Sequence, residues 1–171
     1  MEDNAIHILL IDDVKLDVSE IKRQLGYTMT VPFVITHLED FKGSLELLKI
    51  NNPKVDVVLL DLGLICPHSP KTIFKRIERI VNDIPIIVIT GDNDHDLALF
   101  VMNSGASDNM TRGDFRNTYG KLRDAIDFSL ARCLILKSAR KDVQDSEDSK
   151  NELMSYISGA YSYSKTEVNN S

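Results

Sequence analysis

Three short apolar runs in the first half of the chain each end on a polar side chain. Ile8-Leu9-Leu10-Ile11 runs into Asp12 and Asp13, Val57 to Leu60 ends in Asp61, and Ile86 to Ile89 delivers Thr90 and Gly91. Apolar, β-branched runs of this length suit strands buried on both faces of a sheet. The first strand is predicted over residues 6–11. Pro32 to Thr36 reads as a shorter strand. A fifth is expected over Ser107 to Thr111, from the alternation of elements rather than from its composition, because Ser-Asp-Asn-Met-Thr has little apolar, branched character.

Helical spacing fills the intervals. Val14, Val18, Ile21 and Leu25 recur at i, i+4, i+7 and i+11, which starts a helix just after the acidic pair. Phe41, Leu45 and Leu48 share a face in a helix over 39–51 that Asn-Asn-Pro stops. The two prolines of Leu64 to Pro70 disfavour regular structure there, and Ile73, Ile77 and Ile80 mark the inward face of the next helix. A helix over 92–104 has a polar start and the apolar segment Leu97 to Met102, and Gly105-Ala106 ends it. From Asp114, one stripe joins Phe115, Tyr119, Leu122, Ile126, Ser129 and Cys133 in a single helix, which continues through Leu136 to Val143. Beyond Lys141 the chain is rich in Ser, Asp, Glu and Asn, with Leu153, Met154 and Ile157 as a small apolar set that could form a second helix. The expected organisation is one domain over residues 1–133, then over 134–171 an extension of the last helix followed by a polar tail or linker.

Five strands alternating with five helices predict an α/β fold. Its doubly wound parallel sheet is covered by helices on both faces, with right-handed crossovers and ligands outside the carboxyl ends of the strands. The three aspartates and Thr90 would gather at that edge.

Composition narrows the chemistry. At 171 residues one core suffices, and a net charge of −6 with scattered basic residues argues against a binder that works by neutralising nucleic-acid phosphates. The two cysteines, Cys66 and Cys133, have no metal-ligand spacing and form no disulfide framework, so a reducing cytoplasm is the simplest setting. The N-terminus is acidic where a secretory signal would be basic, and no apolar stretch approaches the roughly 20 residues of a membrane span. A soluble cytoplasmic protein with neither nucleic acid nor membrane as a direct partner is expected.

Asp12, Asp13 and Asp61 would crowd charge into one crevice, which is costly unless a proton or a cation intervenes. Mg2+ is the natural occupant, since it takes oxygen ligands and is commonly held by one or two carboxylates plus a phosphate. Asp61 could then act as nucleophile toward a phosphoryl group, with Thr90 donating to a phosphoryl oxygen and Arg112 supplying a second cation. Taken singly, Asp12 or Asp13 reads more readily as a helix cap than as a ligand, and Thr90 as a strand-end hydroxyl. The coincidence of these residues at three strand ends favours a site. Asp92, Asp94 and Asp96 imitate a calcium loop, but Leu97 stands where its glycine belongs and Asn103 where its last acid belongs. His7, His37, His68, His95 and Cys66 lack partners at ligand spacing.

Over roughly residues 5–133 the chain resembles a response-regulator receiver domain of two-component signalling. Asp12-Asp13 resembles that family's acidic pair, Asp61 its phosphoacceptor, Thr90-Gly91 its hydroxyl position, and Gly105 to Asp108 the stretch before its last strand. The resemblance implies a flavodoxin-like strand order of 2-1-3-4-5 and a backbone carbonyl of Gly63 as a metal ligand. It also implies Mg2+-dependent phosphoryl transfer to Asp61 from a histidine kinase or phosphotransfer protein. Output would pass through a partner, or through a homodimer built on the fourth helix, fifth strand and fifth helix or on the extended last helix. A signalling module of this kind is not itself an enzyme.

Two departures stand out. Arg112-Gly113 replaces the family's usual Lys-Pro pair, and Asn109 takes the place of the aromatic on the switch face. They motivate an alternative: a pseudo-receiver that acts as a protein-interaction module without phosphate. An aspartyl-phosphate hydrolase would carry Asp-x-Asp at the nucleophile, and the second acid is here Gly63. No Gly-x-Gly-x-x-Gly follows the first strand to bind a dinucleotide.

Overall fold

The computed structural model describes residues 5–50, 54–91, 94–118 and 120–168, and the side chains of residues 16, 115–117 and 156–168 lie outside that description. The expected Asn-Asn-Pro stop, Asp92 and Tyr119, and the inward placing of Phe115 and Ile157, fall outside it too. Five strands form one parallel sheet: β1 (Ile6–Ile11), β2 (Phe33–Leu38), β3 (Val57–Asp61), β4 (Ile86–Thr90) and β5 (Asp108–Thr111). Their order is β2-β1-β3-β4-β5, so the path reverses at β1 and leaves a crevice outside the carboxyl ends of β1 and β3. The chain alternates these strands with α1 (Lys15–Thr28), α2 (Phe41–Ile50), α3 (Pro70–Val81) and α4 (His95–Asn103), and β5 leads into α5 (Arg112–Asn117) and α6 (Lys121–Val168).

Strand periodicity sorts the core into two layers. Leu9, Ile11, Val58, Leu60 and Val88 meet Phe41, Leu45, Ile73, Phe74, Ile77 and Val101 from α2, α3 and α4. Ile8, Leu10, Val57, Leu59, Ile87, Ile89 and Met110 meet Val18, Ile21 and Leu25 of α1 and Leu122, Ala125 and Ile126 of α6. Every residue of β3 and β4 is buried, as expected for strands covered on both faces.

The elements differ from the expectations in several places. β2 runs on to Leu38, because its register with β1 pairs Leu38 with Ile11. β5 starts at Asp108, and despite its composition it pairs with β4 from Ile87↔Asp108 to Thr90↔Thr111. Pro70 lies inside α3 as its first residue, with the Ser69 hydroxyl accepting from the Thr72 amide; proline is well suited to that first position. The single helix expected from Asp114 is two helices. Thr111 and Asp114 form a reciprocal capping box that starts α5, and Gly120, at φ +83°, separates it from α6.

The chain divides into two compact units, residues 1–133 and 134–171. Within the second, α6 continues to Val168 where a polar tail was expected, and Leu134, Ile135, Leu136, Val143, Leu153 and Met154 on it are exposed. Among the described residues no helix is long and apolar enough to cross a membrane.

Candidate functional site

The strand ends converge as the apolar runs require. In the register of β1 with β3, Ile11 sits beside Leu60, so Asp12 and Asp61 follow on adjacent strands at the same edge. Asp61 in turn sits beside Ile89, which places Thr90 one residue further along β4. Ligand oxygens of Asp12, Asp13 and Asp61 all lie within 4.8 Å of one another. Asp12 and Asp61 are fully buried.

The carboxylates are only partly satisfied. Asp12 Oδ1 accepts from the Val14 amide at 2.7 Å and Asp61 Oδ1 from the Gly63 amide at 2.9 Å. Asp13 Oδ2 accepts from the Ile65 amide at 2.8 Å. Asp13 therefore ties the loop after β3 to the loop after β1, and it does not cap α1: Val14 holds the cap position without a side-chain hydrogen bond. Asp12 Oδ2 and Asp13 Oδ1 are buried without a hydrogen-bond partner among the described residues. Two orphaned anionic oxygens facing a third carboxylate form a donor set that a hard divalent cation fits. Electrostatics agree: burial, reinforced by the charges of Asp61 and Asp17, pushes the Asp12 carboxyl up to about 6 against the hydrogen bond from Val14. Burial also raises Asp61, against the opposing pull of the Gly63 amide and Arg112.

Arg112, the first residue of α5, reaches back across the edge. Its Nη2 donates to Asp61 Oδ2, and its Nε lies 3.3 Å from Asp17 Oδ2 as an ion pair lacking hydrogen-bond alignment. Burial favours loss of the guanidinium proton, but the charge and hydrogen bond of Asp61, then Asp17 and Asp12, outweigh it and hold Arg112 above its ordinary value. Thr90, buried, has its hydroxyl 3.3 Å from Asn109 Oδ1 and 3.5 Å from the Met110 carbonyl, to either of which it can donate. Asp12, Asp13, Asp61, Gly63 and Arg112 are thus joined directly or through the carboxylate cluster. Thr90 and Asn109 form a neighbouring pair on β4 and β5.

Two contributors escaped the sequence reading. Asp17 is 2% exposed and paired with Arg112. Its sequence signal was no more than an acid in the first turn of α1, four residues after Asp13. His37 donates from Nε2 to the Asp12 carbonyl at 2.7 Å, and so braces the acidic loop from β2. His68 does not line the cluster: its ring packs edge-on against Phe41 at 5.6 Å between centroids and accepts from Arg76 at 2.8 Å.

Residues 8–114 match the family described as response regulator receiver domain. A response regulator receiver domain protein from Clostridium thermocellum superposes with a TM-score of 0.65 at 25% identity, covering 77% of this chain and 98% of the other. The N-terminal signal receiver domain of a two-component system response regulator from Bacteroides fragilis gives 0.60 at 23% identity, over 74% of this chain and 97% of the other. The signal receiver domain of a LuxO repressor protein from Vibrio parahaemolyticus gives 0.63 at 20%, over 79% and 97%. No curated protein matches the chain.

Proposed function

The chain belongs to the response regulator receiver domain family, and from that premise we propose that Asp61 accepts a phosphoryl group from a histidine kinase or phosphotransfer protein. The observation that carries the proposal is the meeting of three carboxylates within 4.8 Å with two orphaned oxygens, beside a guanidinium on Asp61. Asp12, Asp13 and Asp61 would hold Mg2+, with the Gly63 carbonyl as a further ligand. When bound, the ion neutralises the acidic crevice and the charge that builds on the transferred phosphoryl oxygens.

The protein's own groups account for the rest. An Asp61 oxygen forms the O–P bond as the N–P bond of a phosphohistidine breaks, and the departing imidazole nitrogen keeps the electron pair and takes a proton. Arg112 stands at Asp61 Oδ2 with its positive charge reinforced, ready to move onto a phosphoryl oxygen. The Thr90 hydroxyl, released from Asn109, donates to another. That exchange gives the modification a route to β5, where Asn109 serves in place of an aromatic switch, and from there to a partner or a second copy.

The test is incubation of the full chain with Mg2+ and acetyl phosphate, followed by intact mass. A base-labile adduct of one phosphoryl group is expected in wild type and its loss in Asp61→Asn. No adduct in wild type, or an adduct that persists in the variant, rejects the reading. The burial of Asp61 under Arg112 supports a second reading, a phosphorylation-independent interaction module. That reading expects Asp61→Asn to keep partner binding intact.

A further inference from the structure

We infer that Asp17 is the positioning residue for Arg112, and that Gly63 keeps open the space its guanidinium fills. The consequence for catalysis rests on the phosphoacceptor reading of Asp61; the clamp itself rests on three side-chain positions. An acid in the first turn of a helix ordinarily faces water, where the helix dipole alone favours it. Asp17 is instead 2% exposed, and a buried carboxylate needs a charged partner. Arg112 provides one: Nε faces Asp17 and Nη2 faces Asp61, so opposite ends of one planar group bridge two buried acids. A lysine ammonium is a point charge on a flexible stem and has no rigid fork with which to bridge them.

Gly63 completes the arrangement for a reason unrelated to its backbone. The described glycines with positive φ are Gly105 and Gly120, so the conformation at Gly63 does not demand glycine. Space does. A Cβ there would lie 2.5 Å from Arg112 Nη2 and 3.2 Å from Asp61 Oδ2. Because the first of these atoms ends a flexible side chain, an added methyl would displace the guanidinium rather than the strand. Glycine at 63, arginine at 112 and aspartate at 17 therefore form one set. Asp17 holds the Nε end while the Nη end turns from the Asp61 carboxylate to a phosphoryl oxygen on it, which brings a longer cation to short range.

The experiment follows the side-chain nitrogen resonances of Arg112 in the full chain labelled with 15N-arginine. Wild type should give a restrained guanidinium with slowly exchanging protons, and Asp17→Asn and Gly63→Ala should each return it to the averaged signal of a solvated arginine. A restrained signal that survives both substitutions overturns the clamp, whether or not Asp61 is phosphorylated. In the acetyl phosphate assay, Asp17→Asn should slow adduct formation about tenfold with Arg112 present, through lost positioning. In an Arg112→Lys background the same substitution should change the rate by less than about twofold, since the interaction is already gone. Equal losses in both backgrounds, or faster modification in Asp17→Asn, overturn the positioning role. A wild type without adduct rejects the phosphoacceptor reading and leaves the resonance comparison to judge the clamp.

Discussion

Replacing Asp12 with asparagine removes one buried negative charge and keeps the oxygen that accepts from the Val14 amide. In the unfolded chain the Asp12 carboxyl titrates near 3.8, and in the folded protein at about 6. The folded state therefore binds more protons between those values, so stability falls as pH rises through that window and the full penalty is present above it. The gap corresponds to about 3 kcal/mol, at about 1.4 kcal/mol per pH unit. Asp61, also raised by burial, acts in the same direction.

The assay is urea unfolding of wild type and Asp12→Asn across pH 4 to 7 in a chelating buffer. Taking the difference between the two proteins removes the contributions of Asp56 and Asp114, whose carboxyls lie below their ordinary range and have the opposite pH dependence. Near pH 4 the two should be similar. By pH 7 the variant should be more stable by about 3 kcal/mol. Saturating Mg2+ should reverse the order, because the cation stabilises only a protein that can bind it. A difference that stays flat with pH, or a variant less stable at neutral pH without metal, would refute the claim that the crevice is an unneutralised anionic site.

Four other outcomes can be measured independently. Phe74→Ala should cost about 3–5 kcal/mol in urea unfolding, since Phe74 is fully buried between the sheet and α3. Gly120→Ala should cost about 1–2 kcal/mol by forcing a side chain to φ +83°, and an unchanged midpoint would contradict the break between α5 and α6. Ser69→Ala should lose about 1 kcal/mol with its cap on α3 and leave Mg2+ affinity unaltered. A chain ending at Cys133 should keep the wild-type thermal midpoint to within a few degrees, because residues 1–133 form their own compact unit.

The sheet was legible because its central strands must bury both faces. Val57 to Leu60 and Ile86 to Ile89 have no polar side to mislead, and each stops at a buried polar residue, Asp61 or Thr90, on the carboxyl edge of the sheet. β5 was harder, for Asp108 and Asn109 belong there through register with Ile87 and Val88 rather than through propensity. The split between α5 and α6 was missed because the stripe Leu122, Ile126, Ser129 extrapolates smoothly backward to Asp114. Periodicity records which residues face inward and is blind to a positive φ at Gly120 that interrupts the hydrogen-bond ladder.

The site shows the same division at the level of single side chains. Asp12, Asp13 and Asp61 announced themselves because strand ends are fixed in space by the pleat, so acids at the ends of the adjacent strands β1 and β3 must meet. Asp17 could not be found that way, since a helix-start acid normally needs no explanation beyond the dipole. What singles it out is Arg112: with arginine rather than lysine beside the buried Asp61 carboxylate, its second edge needs a counter-charge, and Gly63 must surrender the volume a Cβ would take. Arg112, a departure from the family's usual lysine, is thus matched by two further residues that fit it. A neutral or exposed residue at 17, or any side chain at 63, would leave Arg112 without that counter-charge or that space.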